Sequence, residues 1–295
     1  MISNTHIDSF KWYLTNERMA SANTVTSYIR DVSRFADFLE NHGKDDLSTA
    51  TENEIRLFLS RLEESGLSSA TISRCNASLK AFFSRLSDLG VILQSPAAGV
   101  TAFVSDKQLP KILSSKEIEH LMLLPDVKDA KGCRDKAMLE TIYATGLRVS
   151  ELIALDENDV NLTTGLITCR SVKERSIPLH AAAVIAIENY LVFARHKIAS
   201  PDEFALFVNT GGGRMSRQGF WKLLKVYSEK ANFEEDVTPQ TLRHSFAAHM
   251  LENGADIRSL QEMLGHANIS TTRLYARVVK KQLKDVYTQS HPRAQ

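Results

Sequence analysis

The chain of 295 residues is organised around the stretch from Thr238 to Tyr275, TPQTLRHSFAAHMLENGADIRSLQEMLGHANISTTRLY. Cap residues and two glycines, Gly254 and Gly265, divide it into short helices joined by tight turns. Thr238 reads as an N-cap with Pro239 at the first helical position, so a helix begins there. Gln240, Arg243 and His244 lie three and four residues apart and share one face of its first turns. A helix N-terminus with unpaired N–H groups and an arginine beside it is a ready anion site. Gly254 ends that helix, Asp256 caps the next, and Gly265-His266 ends it. Ser270 then caps a short segment carrying Thr271, Thr272 and Tyr275. Arg, His and Tyr are thereby gathered in a form suited to holding a phosphate beside a phenol.

The length allows two ordinary domains, and the apolar (43%) and charged (24%) fractions are those of a soluble globular protein. No apolar run reaches the roughly 18 residues of a membrane span, and the N-terminus lacks the build of a signal peptide. Cys75, Cys133 and Cys169 are scattered and odd in number, which points to reduced thiols and a cytoplasmic location rather than disulfides or zinc. The net charge is only +1, and the first 105 residues carry 10 Lys+Arg against 12 Asp+Glu. A nucleic-acid partner would therefore require basic side chains sorted onto one face.

Residues 1–103 read as an all-helical unit. Ser21 or Asn23 caps a helix with Val25, Tyr28, Val32, Phe35 and Leu39 on one face, ending near Gly43. Thr51 with Glu54 forms a capping box for a helix burying Ile55, Phe58, Leu59 and Leu62. Ser69 starts a third, burying Ile72, Leu79, Phe82, Phe83 and Leu86. Arg74, Lys80 and Arg85 lie along it, as either a solvated face or a phosphate-facing one. From Gln94 to Leu113 helical periodicity lapses around Pro96 and Pro110, and residues 104–113 are assigned as a linker. Ser114 with Glu117 then opens a second domain, 114–295, mostly helical with a small sheet.

That domain is expected to hold a helix from about Cys133 to Ala144, broken at Thr145-Gly146, and a new turn from Arg148. Strands at Gly165–Cys169 and Arg175–Leu179 flank a hairpin tip containing Arg170 and Lys173. A helix over Ala181–Ala194, a strand at Ala205–Val208, a loop at Gly211–Gly213 and a helix capped by Ser216 complete it. The fold class is thus mainly α with a small β-sheet in the C-terminal domain.

Singly, each chemical signal has an ordinary structural explanation. Arg148 could simply pair with Glu151 three residues on, and Tyr275 could be a core aromatic. His244, His249 and His266 lack a carboxylate at ligand spacing, so neither a metal nor a cofactor is expected. The Gly211–Gly213 loop lacks the Lys-Ser/Thr of a phosphate-binding loop. Together, two arginines, a histidine and a tyrosine form a complete apparatus for breaking a phosphodiester. Guanidinium forks match nonbridging oxygens bidentately and stabilise a pentavalent transition state. A phenol with a pKa near 10 needs that field, or a base, in order to attack.

These residues resemble the tyrosine recombinase (phage integrase) family, in particular its Xer-type site-specific recombinases. The resemblance runs through ATGLRVSEL at Ala144–Leu152, KERSIPL at Lys173–Leu179, TLRHSFAAHML at Thr241–Leu251 and LGHANISTTRLY at Leu264–Tyr275. It ends at HPRA, His291–Ala294. It implies that Arg148 and Arg243 clamp the scissile phosphate, that His266 hydrogen-bonds it, and that Tyr275 forms a 3′-phosphotyrosyl link. A two-domain clamp around double-stranded DNA is implied as well, with Arg74, Lys80, Arg85, Arg170 and Arg175 as DNA contacts. Four protomers, alike or from two related recombinases, would exchange strands through a Holliday junction at a specific site. Chromosome-dimer resolution and mobile-element integration both fit, the former with a DNA translocase as a further partner.

Two positions depart from the family pattern. Gln240 stands where a histidine is usual, and Arg170 stands where a hairpin lysine is usual. Glutamine cannot shuttle a proton, and arginine is a poor proton donor. Loss of one general acid or base costs ~10²- to 10⁴-fold in rate, so an active but slowed enzyme is expected. Lys173 in the same hairpin, or His244 one turn from Gln240, could compensate. After Tyr275, Arg277, Lys280, Lys281 and Lys284 alternate with Val278, Val279, Leu283 and Val286. This amphipathic segment either packs on its own domain or, as the resemblance implies, docks on a neighbouring protomer. Competing readings are a catalytically weakened DNA-binding accessory protein of the same fold and a topoisomerase-like nicking and closing enzyme.

Overall fold

Helix-capping side chains set most of the boundaries in a computed structural model of the chain. It describes residues 5–101, 110–171, 173–233, 236–266 and 272–276. The chain divides into two compact units, Met1–Gln108 and Leu109–Gln295. Residues 104–109 of the expected linker, the cap at Ser270 and the segment after Ala276 lie outside the described residues.

In the first unit, α1 (Thr5–Trp12) continues into a π-helical turn, Tyr13–Glu17, followed by α2 (Ala22–Glu40), α3 (Glu52–Glu64) and α4 (Ser69–Asp88). Ser21 caps α2 by accepting from the Thr24 amide, and Thr51 with Glu54 closes a full capping box on α3. Helix α1 was not among the helices singled out from the sequence; it buries Phe10, and the following turn buries Leu14. Phe35, Phe38, Phe58, Phe82 and Phe83 pack at the centre of this unit's core. The buried Asp31 on α2 accepts from both Arg74 and Ser78 of α4, so an ion pair ties these helices across the core.

The second unit begins with α5 (Ser115–Leu123), again opened by a complete capping box, Ser114 with Glu117. Helix α6 (Ala130–Thr145) is its central element, with most of its residues buried. It starts three residues before the expected Cys133, because Asp129 accepts from the Gly132 amide and supplies the cap. Gly146 ends it at φ +60°, and a Cβ built there would sit 2.3 Å from the Phe246 ring. Only glycine fits that turn. After α7 (Val149–Leu152) comes an antiparallel sheet of β1 (Val160–Asn161), β2 (Leu166–Cys169) and β3 (Arg175–Pro178), in that order, with Ile167 opposite Ile177. The two-residue β1 is too short to have left a pattern in the sequence.

Two expected elements differ. The helix expected over Ala181–Ala194 is α8 (Ala181–Asn189) followed by a π-helical turn, Tyr190–Arg195, and α9 (His196–Ile198). Ala205–Val208 is not a strand but makes isolated bridges to Asp156 and Arg214. Its backbone groups bond to separate partners: the Leu206 amide to Leu155 O, and Phe207 O to the Met215 amide. Among the described residues no continuous strand pairs with it. The unit closes with α10 (Arg217–Lys230), α11 (Pro239–Glu252) and α12 (Ile257–Leu264), capped by Ser216, Thr238 and Asp256 as the sequence indicated. All three cysteines are buried free thiols.

Candidate active site

Four chain segments of the second unit meet where α6 ends and α12 ends. The carbonyls of Met263, Leu264 and Gly265 fall in the last turn of α12, where a helix has no intrahelical donors for them. Three arginines supply the donors. Arg175 Nε donates to Met263 O at 2.7 Å, Arg243 NH2 to Leu264 O at 2.7 Å, and Arg148 NH2 to Gly265 O at 3.4 Å. The negative end of the α12 dipole thus gathers three guanidiniums that would otherwise repel one another.

Glu151 supplies the matching anion. Its carboxylate accepts from Arg175 twice, at 3.1 and 3.0 Å, and from Arg148 at 3.2 Å, and lies 4.0 Å from Arg243. Burial pushes its carboxyl pKa upward, but the Arg175 hydrogen bonds and the Arg148 amide outweigh this and hold it below the usual range. Glu151→Ala would leave Arg175 buried beside two other cations. Loss of one member of a buried pair destabilises by about 3–5 kcal/mol. Denaturant unfolding should show a loss of that size, and a loss under 1 kcal/mol would contradict this account.

Arg243, 1% exposed, is the most enclosed of the three. It also donates to Gly146 O and to His266 Nε2, the latter at 2.8 Å. Burial and the nearby Arg148 pull its pKa down to about 10, which still leaves it charged at neutral pH. His266 Nδ1 lies 3.0 Å from Thr272 Oγ1. Because Nε2 accepts from Arg243, the ring hydrogen resides on Nδ1 and is donated to Thr272. Burial and the surrounding arginines pull the His266 pKa down to about 4, so the imidazole is neutral.

Tyr275 is 2% exposed, its ring among Phe246, Ala247, Leu260 and Leu264. Its hydroxyl is not sealed in hydrocarbon. It lies 2.8 Å from His244 Nδ1, and its ring stacks on that of His266 with centroids 6.4 Å apart. Burial raises the phenol pKa, and the fields of Arg243 and Arg148 pull it back.

Arg148 remains partly exposed and opens onto a cleft of about 550 Å³ shared with Ser150, Arg217, Gln218, Trp221 and Gln240. This cleft faces the N-termini of α10 and α11, which favour anions. Arg217, Gln218 and Trp221 were not singled out from the sequence as functional. Their one signal was the Ser216 cap, which puts Arg217 and Gln218 at a helix N-terminus.

The other expected residues are less tightly placed. Gln240 is exposed on the cleft wall. Lys173 is exposed on the β2–β3 hairpin, and its neighbour Val172 lies outside the described residues. Arg170 is exposed and paired with Asp159 at 2.9 Å. Arg175, expected as a DNA contact, is instead turned inward, with all three guanidinium nitrogens engaged by protein acceptors. In the first unit, Arg85 bonds Glu17 at 2.7 Å and covers the Tyr13 ring, Arg74 holds Asp31, and Lys80 is half-buried.

A helical catalytic unit with a three-stranded sheet, and two arginines meeting an imidazole and a phenol, define the tyrosine recombinase class. The description "Phage integrase family" matches residues 111–282, and "Phage integrase, N-terminal SAM-like domain" matches residues 7–88. Tyrosine recombinase XerD of Listeria innocua is 42% identical, covering 99% of this chain and 100% of its own. Tyrosine recombinase XerD of Oceanobacillus iheyensis is 43% identical, covering 98% of each. A XerH site-specific recombinase, solved bound to palindromic difH substrate in a post-cleavage complex, shares the fold. Its TM-score is 0.76 at 22% identity, over 96% of this chain and 84% of that one. The chain belongs to the phage integrase family.

Proposed function

We propose that this enzyme recombines two copies of a specific double-stranded DNA site by cutting and rejoining strands through a 3′-phosphotyrosine. The observation that carries this reading is the convergence of Arg148, Arg243, His266 and Tyr275 from four separate segments. Arg243 and Arg148 hold the nonbridging oxygens of the scissile phosphate, and His266 hydrogen-bonds it. Tyr275 Oη attacks phosphorus and displaces the 5′-oxygen, and the phosphoryl bond is kept for resealing. Gln240 contributes a neutral hydrogen bond from the cleft wall, and Lys173 is the candidate proton donor to the leaving oxygen. Arg74, Lys80, Arg85 and Arg170 are the proposed backbone contacts.

Similarity to the XerD relatives supports a cytoplasmic role in resolving chromosome dimers over integration of a mobile element. Exchange would proceed through a Holliday junction in a tetramer of one or two recombinases, with a DNA translocase as a further partner. The segment from Arg277 onward would dock between protomers.

The test begins with duplexes recovered by binding selection and converted to nicked substrates that lose a short 5′-hydroxyl fragment on cleavage. The expected product is protein joined to a 3′ phosphate. Attachment at a 5′ end, or selective binding with no covalent product, would overturn the proposal.

A further inference from the structure

We infer that His244 is a further catalytic residue, the acceptor of the Tyr275 phenol proton as that oxygen attacks the phosphate. The inference rests on Tyr275 being the nucleophile. A buried hydroxyl needs an acceptor; Tyr275 Oη lies 2.8 Å from His244 Nδ1, and Arg243, which also reaches the hydroxyl, can only donate. A general base must sit within about 2.6–3.2 Å of the atom it deprotonates.

The other groups that could serve are otherwise engaged. His266 Nε2 accepts from Arg243 and its Nδ1 faces Thr272, so the ring stacks on Tyr275 without bonding its hydroxyl. Gln240, at the position where the family usually has histidine, is exposed and carries no proton-accepting nitrogen. Glu151 is held by Arg175 and Arg148. Arg243 and His266 are the remaining titratable neighbours, and Arg243 is a fixed cation.

Burial and Arg243 pull the His244 pKa down to about 4, so its ring is neutral at pH 7 and offers a free lone pair. In the resting site, transfer from phenol to this weak base is uphill. Attack changes both partners: the phenol becomes strongly acidic as its oxygen bonds to phosphorus, and the charge gathering on the phosphorane counters Arg243. The Oη–P bond forms and the P–O5′ bond breaks, its electron pair leaving with O5′, which takes a proton from Lys173 or water. The phenol proton passes to Nδ1 of His244. On resealing, the 5′-hydroxyl gives its proton to Lys173 or water as it attacks phosphorus, the Oη–P bond breaks with its electron pair leaving on Oη, and His244 returns a proton to Oη.

His244→Asn keeps an acceptor near the Nδ1 position but cannot hold a proton; His244→Gln serves as the second variant. With thermal melts and DNA binding as folding controls, single-turnover cleavage of the nicked substrate should fall ~10²- to 10³-fold at pH 7. The deficit should narrow as pH rises toward the ionisation of the phenol itself. A substrate with a 5′-bridging sulfur, whose leaving group needs no proton, should not restore the rate.

Rates unchanged or raised in a folded variant would reduce the His244–Tyr275 bond to a holding contact and overturn the inference. Full rescue by the sulfur substrate would place His244 on the leaving-group side and overturn it equally. If wild-type protein forms an adduct that Tyr275→Phe abolishes, the nucleophile assignment stands whatever the His244 variants do.

Discussion

Tyr275→Phe is expected to bind its DNA site with wild-type affinity and to form no covalent adduct. The phenyl ring keeps its packing against Phe246, Leu260 and Leu264 and its stacking on His266, so the local fold is retained. The loss is one oxygen, with its hydrogen bond to His244 and its contact with the Arg243 guanidinium. The stability change should stay within about 1–2 kcal/mol, the ordinary range for one buried hydrogen bond. Cleavage has no second route, because no other phenol or thiol among the described residues bonds the imidazoles beside the two arginines. Denaturing gels with end-labelled substrate read both outcomes at once. An adduct surviving in the phenylalanine variant would remove Tyr275 from the mechanism.

Arg243 should show the second large effect, on both folding and rate. Arg243→Ala removes the donors that satisfy Gly146 O and Leu264 O, two carbonyls inside the second unit. Each buried acceptor left unpaired costs about 1–3 kcal/mol, so the variant should melt well below wild type. Arg243→Lys separates charge from geometry. One ammonium cannot span Gly146, Leu264 and His266 and still present a fork to a phosphate. That variant should fold but cleave at least ~10²-fold more slowly, the usual cost of losing one oriented donor to a transition state. Near-normal single-turnover cleavage by the lysine variant would show that charge alone suffices at this position.

The local parts of this site were legible because local chemistry specifies them. Thr238, Pro239, Asp256 and Gly265 set where α11 and α12 begin and end, since caps and left-handed turns act over three or four residues. The pairing of β2 with β3 followed from alternation around a polar tip. The inward placement of Arg175 was not legible, because an arginine two residues from an exposed lysine looks like surface. Nothing nearby in sequence reveals that Met263 O and Glu151 will enclose it. Ala205–Val208 was misread because an apolar run of that length suits a strand wherever a neighbour is available, and among the described residues it finds only isolated bridges.

The sequence alone specified the helical content, the two-unit division of texture and the identity of the Arg, Arg, His and Tyr set. Those follow from propensity, capping and side-chain type, which are properties of a few adjacent residues. Tertiary structure decided which histidine meets the phenol, which arginine faces the cleft and which are turned inward. Those choices depend on where the end of α12 lands against α6 and α7. There a row of helix-end carbonyls and one carboxylate make it favourable to gather three like charges, Arg243 and Arg175 enclosed and Arg148 open to the cleft.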